Sequence, residues 1–470
     1  MRSVQWIMLF WLALPGDFVW GGLSEGLTAF DNGDYYTAYK ELKPMADHGD
    51  VIAQFKLGVM YANGYGVAVD YKAAYSWYNQ AAMQGYASAQ HSLGWIYANG
   101  LGVIQDDQQA FTWYRKAAEQ GYARAQSDLG TMYITGRGVP KDAKEALAWF
   151  RRAAAQNYAL AQNSMGMMFE YGLGVPRNDT QAAVWYLKAA TQGLADAQRR
   201  LGLMYMQGRG VAQDDKQAVL WCSKAAAQDD SDAQVILGIM YNLGRGVPQD
   251  IKQTLELYRK AADKDNATAQ YNLGEMYAAG RGVPRDFKQA AAWYRKAAVQ
   301  GYAEAQYQMG LIYRDGAPSE RDYDQAMTWF RRAANQGLAK AQASIGLMYS
   351  VGIWGVPKDD QKAAYWYRQA AGQGDNAGEW QLGGSYAAGI GVPHNLVVAY
   401  ALESLAAASK DTHIQEMAEL SRKDIEKSMS AQQIETAKKL IQDMAKPGNL
   451  LPALDRYLNR QSQIPVTKSQ

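Results

Sequence analysis

Cysteine is nearly absent: Cys222 stands alone in 470 residues, so no disulfide can close within the chain and stability has to come from packing. Its place, where comparable positions carry Tyr114, Tyr186 and Tyr294, reads as a small buried apolar residue rather than a reactive thiol. Histidine is scarce as well. His48, His91, His394 and His413 lie far apart with no partner at ligand spacing, which speaks against a metal, and no motif asks for any other cofactor. An excess of one charge is missing too. Lys+Arg 48 against Asp+Glu 46 leaves a net +2 without a basic block, so nucleic acid is excluded as a partner. Long hydrophobic runs are lacking, and the one apolar stretch, Val4 to Leu14, falls short of the roughly 20 residues that span a bilayer. It follows Arg2 and stops at Pro15-Gly16, the pattern of a secretory signal peptide over residues 1–21, with Val19-x-Gly21 the best cleavage site and no cysteine for a lipid anchor.

What the chain has in abundance is periodicity. Gln54, Gln90, Gln126, Gln162, Gln198, Gln234, Gln270, Gln306 and Gln342 follow one another at intervals of 36 residues. A unit of that length is one helix–turn–helix whose apolar faces are buried only by its neighbours, so the expected fold is all-α, a right-handed superhelical α-solenoid of about ten 36-residue repeats.

Residues 87–122 spell one copy. Ala89, Leu93 and Tyr97 recur every four residues and make an apolar stripe on a first helix, about Ala87 to Ala98, in which Gly94 leaves room for a neighbouring backbone. Gly100 and Gly102 stop it. Ala110, Trp113, Tyr114, Ala117 and Ala118 give a second helix, about Asp106 to Gln120, with Arg115 and Lys116 turned to water. Aspartates in register, Asp106, Asp142, Asp214, Asp250 and Asp286, read as helix caps rather than acid/base pairs. Gly-x-Gly occurs eight times on the same period, so it is a turn and not a phosphate loop. Trp77, Trp113, Trp149, Trp185, Trp221, Trp293 and Trp329 keep the grid, which slips by one residue at Gly352-Ile353-Trp354-Gly355 and changes character at residues 316–320.

The pattern A-x-A-Q-x-x-L-G-x-M-Y-x-x-G-x-G-V-x-x-D-x-x-x-A-x-x-W-Y-x-K-A-A-x-Q-G resembles the Sel-one-like repeat (SLR), a relative of the tetratricopeptide repeat, over residues 51–411. Residues 28–50 are similar to a tetratricopeptide half, so 22–50 would cap the array. Residues 429–435 are similar to the closing helix often found after such arrays, with a capping box at Ser430 and Gln433, so 412–446 would form a C-terminal helical cap; after Pro447 the period is lost and residues 447–470 read as a loose tail. The resemblance implies a protein–protein interaction scaffold without chemistry of its own, exported to the periplasm or secreted, acting in envelope assembly, cell-wall enzyme control or host contact. It also implies an alternative, since cysteine-rich relatives are associated with penicillin binding and weak β-lactam hydrolysis. Neither their cysteine pairs nor a Ser-x-x-Lys at a turn-to-helix junction is found here.

By analogy with tetratricopeptide geometry, the residue after the recurrent glutamine and the residue after the recurrent Leu-Gly face the concave side. Aromatic and arginine side chains anchor interfaces, so Phe55, Trp95, Arg199, Tyr271, Tyr307 and Trp380 are the candidate contacts for a protein or peptide. The same side chains suit packing between adjacent helices equally well. Nothing in the pattern sets an oligomeric state.

Overall fold

A computed structural model describes residues 16–316, 321–352 and 356–462, with side chains from residue 22 to residue 461. The apolar core of the signal sequence, the divergent loop at 317–320 and the extra residue near 353–355 lie outside the described residues. All regular structure among the described residues is helical, in 25 helices. The chain divides into two compact units, Met1–Ala233 with Gly244–Pro248, and Gln234–Leu243 with Gln249–Gln470. Each is an α-solenoid segment of stacked helix pairs. The first opens on the pair Gly16–Asp31 and Tyr35–Asp47, whose Ala29, Ala38, Leu42 and Ala46 share a core with Ala53, Leu57 and Met60 of the first repeat.

One repeat shows why the sequence folds this way. Helix A is Ala87–Asn99 and helix B is Asp107–Glu119. Gly100 ends helix A in the left-handed conformation at φ 66°, and its N–H bonds the Ile96 carbonyl. Asp106 starts helix B by accepting from the N–H groups of Gln108 and Gln109 at 2.9 and 3.0 Å. The second glycine of each loop has a different duty. Gly138 (φ 66°) lies against the first turn of the preceding helix B, so closely that a Cβ would stand 2.1 Å from the Asp107 carbonyl oxygen. Only glycine fits there.

Gly94 corrects the sequence reading. What stands nearest to it is the ring of Tyr114 from its own repeat, 2.5 Å from where a Cβ would be. The same pairing joins Gly58 to Tyr78, Gly166 to Tyr186 and Gly310 to Phe330. Cys222 fills the ring's place under Gly202; it is fully buried, and burial pushes its thiol up to about 12, which leaves no thiolate near neutral pH. Lys116 is not turned simply to water either, since its Nζ sits 4.1 Å from the centre of the Trp113 ring, and Lys188, Lys224 and Lys296 cover Trp185, Trp221 and Trp293 likewise.

The recurrent glutamine is buried because it is a connector. Gln126 Nε2 donates to the Ala118 carbonyl at the end of the preceding helix B (3.1 Å), and its Oε1 accepts from Gln156 Nε2 at the end of its own helix B (2.9 Å). Gln90 repeats this with Ala82 and Gln120, and Gln306 with Ala298 and Gln336. Asparagine would be too short to reach both, and a carboxylate would have nothing to donate.

The end of the chain differs from the loose tail read from sequence. Helices Thr412–Lys427 and Ala431–Met444 are followed by a third, Leu450–Ser462. Pro452 falls in its first turn, where an N–H has no intrahelical partner to lose. Leu450, Ala453 and Leu454 bury the i, i+3, i+4 face, and Asp455 receives both of its 2.7 Å bonds from Arg368 on helix Asp360–Ala371. Residues 463–470 lie outside the described residues.

Candidate partner-binding groove

Within each helix A the residue after the glutamine and the residue after the glycine are four apart and share a face. Where the first is aromatic it packs on rings of its own repeat and its neighbour, two for Phe55 and Tyr271 and one for Tyr307. Phe55 lies 5.8 Å from Tyr78 and 5.2 Å from Tyr86; Tyr271 lies 5.8 Å from Tyr294 and 5.2 Å from Tyr302; Tyr307 lies 5.7 Å from Phe330. Tyr86 and Tyr302 sit at the N-caps of their helices without making a cap hydrogen bond, so a cap has been exchanged for an aromatic contact. These side chains are half-buried: one edge packs and one edge shows. Burial, with Glu275 and Glu304 nearby, pushes the Tyr271 hydroxyl up to about 12, so it stays a neutral donor.

The six candidates separate by surroundings. Trp95 is 41% exposed and meets Tyr71 at 6.5 Å. Arg199 is held by Asp196 and Asp230, with only 19% of its side chain exposed, so its charge is spent inside the protein. Phe55, Trp95 and Arg199 belong to the first unit; Tyr271, Tyr307 and Trp380 belong to the second. Tyr271 and Tyr307 are brought together. A cleft of 430 Å³ runs from Tyr271 past Glu304, Tyr307 and Gln308 to Lys340 and Asp375. A second, of 490 Å³, shares Tyr307, Lys340 and Asp375 and continues along Ser344, Leu347, Asp411 and Ile414. Trp380 is half-buried and lines neither.

Glu304, Lys340, Asp375 and Ile414 were not legible as site residues. Glu304 and Lys340 occupy the variable x of A-x-A-Q, a position that changes from copy to copy (Ser88, Arg124, Leu160, Asp196), and that variability was the available signal. The two clefts are lined by Tyr271, Tyr307, Leu338, Leu347 and Ile414 together with Gln308, Asn376 and Gln381, and by Glu304, Lys340 and Asp411, which are exposed. Such a surface can seat an extended chain by apolar contact and fix its direction by charge. No group of three or more His, Cys, Asp or Glu able to hold a metal occurs among the described residues. No helix among them is long and apolar enough to cross a membrane.

The family model described as Sel1 repeat matches ten segments, 51–86, 87–122, 123–158, 159–194, 195–230, 231–266, 267–302, 303–338, 339–375 and 377–411. A protective antigen present in uropathogenic Escherichia coli strains, displaying an SLR fold, is 34% identical with a TM-score of 0.57, over 92% of this chain and 99% of that one. A Sel1 repeat protein from Oxalobacter formigenes is 36% identical with a TM-score of 0.50, over 66% of this chain and 89% of that one. No curated protein matches.

Proposed function

This chain belongs to the Sel1 repeat family, whose members generally mediate protein–protein interaction on a typically non-catalytic scaffold, and from that premise we propose that it is an exported adaptor without chemistry of its own. It seats an extended segment of a protein in the cleft running from Tyr271 to Ile414, in the periplasm or outside the cell, where envelope assembly, cell-wall enzyme control or host contact would be its setting. One observation carries the binding reading: fixed residues of the repeat are consumed by the stack, while the variable ones of four successive A helices line two clefts that share Tyr307, Lys340 and Asp375. The charged start, short apolar run and Pro15-Gly16 stop support export. So does the likeness to a protein described as a protective antigen.

Both parts can be checked. A photoreactive amino acid at position 340 of the full chain should crosslink a protein in the native cell, and the same probe at Lys288 on helix B should not. With that protein in hand, Tyr307→Ala and Tyr271→Ala are each expected to weaken binding by about 2 kcal/mol or more, as anchors do, and Lys340→Glu to weaken it with the melting temperature unchanged. Full affinity in the Tyr271/Tyr307/Lys340 triple variant would move the partner to another face. For export, mass spectrometry of the protein from its own cells should find a mature chain starting near Gly22. An intact Met1 on cytoplasmic protein would overturn it.

A further inference from the structure

The last repeat places carboxyls where the others place neutral groups. Glu379 stands at the position of the recurrent glutamine, and Glu403 at the position of Tyr258, Tyr294, Phe330 and Tyr367. The register is confirmed by the glycine opposite: a Cβ on Gly346 would meet the Tyr367 ring at 2.6 Å, and one on Gly383 would meet Glu403 Cγ at 3.1 Å. Both carboxyls are inside, Glu379 at 5% and Glu403 at 0% exposure.

Their partners are few. Glu379 Oε2 accepts from Asn376 Nδ2 at 3.0 Å, and thirty residues on, where earlier repeats supply a glutamine, stands Ser409. Ionised, Glu379 cannot make the bond that each glutamine donates to the preceding helix B. Glu403 Oε1 accepts from Ser421 Oγ at 2.9 Å, while its Oε2 is buried with no hydrogen-bond partner. Among the described residues neither carboxyl has a cation at ion-pair distance.

The charged groups on the surrounding elements do not supply one. On helix Asp360–Ala371, Arg368 is taken by Asp455; in the cleft beside Glu379, Lys446 is taken by Asp443 at 2.6 Å. Asp375, at the start of Glu379's own helix, adds negative charge. Helix Thr412–Lys427 carries Arg422 on the stripe of Ala418, Ser421 and Ile425, with its Nε buried and without a hydrogen-bond partner. Helix Ala431–Met444 turns Ala437, Leu440 and Met444 inward.

We propose that the last repeat and the helices behind it form a pH-responsive end of the array, closed while Glu379 and Glu403 hold protons and loosened when they ionise. A buried carboxyl without a cation is stable only when neutral. Burial accordingly pushes Glu379 up to about 7, with Asn376 opposing and Asp375 adding, and Glu403 up to about 8, with Ser421 opposing. Both folded values lie above the ordinary 4.5, so proton binding favours the folded end. Its contribution is full below pH 4.5, declines as pH rises, and is gone once pH passes the folded values.

Hydrogen exchange followed by mass spectrometry on the full chain tests this without any partner, so the outcome is independent of whether the cleft binds one. Peptides within 376–444 are compared with peptides within 123–190 between pH 5 and pH 8.5, with rates corrected for intrinsic exchange. In the wild type, opening of the end relative to the internal peptides should rise at least about a hundredfold over that range. Glu379→Gln, which restores the residue of the other repeats, should cut the rise by about tenfold or more, and Glu379→Gln with Glu403→Gln should abolish it. A flat wild-type profile, or a double variant that keeps the wild-type slope, overturns the proposal. Should the double variant leave the end open at every pH, Glu379→Gln alone decides: a reduced slope supports it and an unchanged slope overturns it.

Discussion

Trp113→Ala will lower stability by about 3–5 kcal/mol, because a large ring is removed from a packed site that cannot close over the space. Trp113 is 9% exposed and contacts the cluster of Ala74, Tyr78, Ala81, Ala82, Ala89, Leu93 and Ile96, most of which belongs to the preceding repeat. Its ring therefore joins one repeat to the one before it, and Lys116 lies over the face that would otherwise be wet. The loss should concentrate near the deletion, since a repeat array transmits stability through neighbours. Denaturant unfolding gives the total, and exchange protection of residues 71–122 gives its location. Trp95→Ala, on the exposed face of helix Ala87–Asn99, is expected to cost less than about 1 kcal/mol. Equal losses in the two variants would show that the tryptophan grid does not hold the stack.

Gly138→Ala should cost about 3 kcal/mol, of which roughly 1–2 is the left-handed backbone and about 1–3 is overlap with the preceding helix. The overlap is not with a flexible side chain. A Cβ would meet the Asp107 carbonyl oxygen at 2.1 Å and its carbon at 2.5 Å, so two repeats would have to separate. Gly121 provides the control, because its φ is 90° but nothing lies within 4 Å of a Cβ. Gly121→Ala carries the conformational part alone and should fall about 1–3 kcal/mol short of Gly138→Ala in urea unfolding. If the two variants unfold at the same urea concentration, the second loop glycine is a turn residue and nothing more.

Helix pairs, repeat boundaries and caps within the array could be read from residues because each follows from local spacing: Asp106 caps two residues ahead of Gln108, and Gly100 ends the helix it adjoins. What escaped depends on partners far along the chain. The hydrogen bonds of Gln126 go to Ala118 and Gln156, in two different B helices, so its period was visible and its purpose was not. The helix Leu450–Ser462 was hidden by Pro452, a residue that reads as a helix stop but costs no hydrogen bond in a first turn. In the groove, Tyr271 and Tyr307 were found by their place after the recurrent glutamine and their aromatic rings, while Lys340, in the variable x of A-x-A-Q, was not singled out although it lies where the two clefts meet. Glu379 and Glu403 were lost in the final copy for the opposite reason, each departing from a consensus that drew attention to what it shared.

The glutamine connectors have a consequence for the gene. Gln126 bonds eight residues back and thirty residues forward, and Gln90 and Gln306 keep the same two distances. Recombination that removes or adds 36 residues in register therefore rejoins equivalent donors and acceptors, whatever point within the repeat it cuts. Out-of-register events leave amides facing the wrong carbonyls at the seam. Selection on folding alone then favours changes of length by whole copies, the single extra residue before Gln373 being absorbed in a loop between helices, and each copy gained brings one more variable helix A face for a new ligand to exploit.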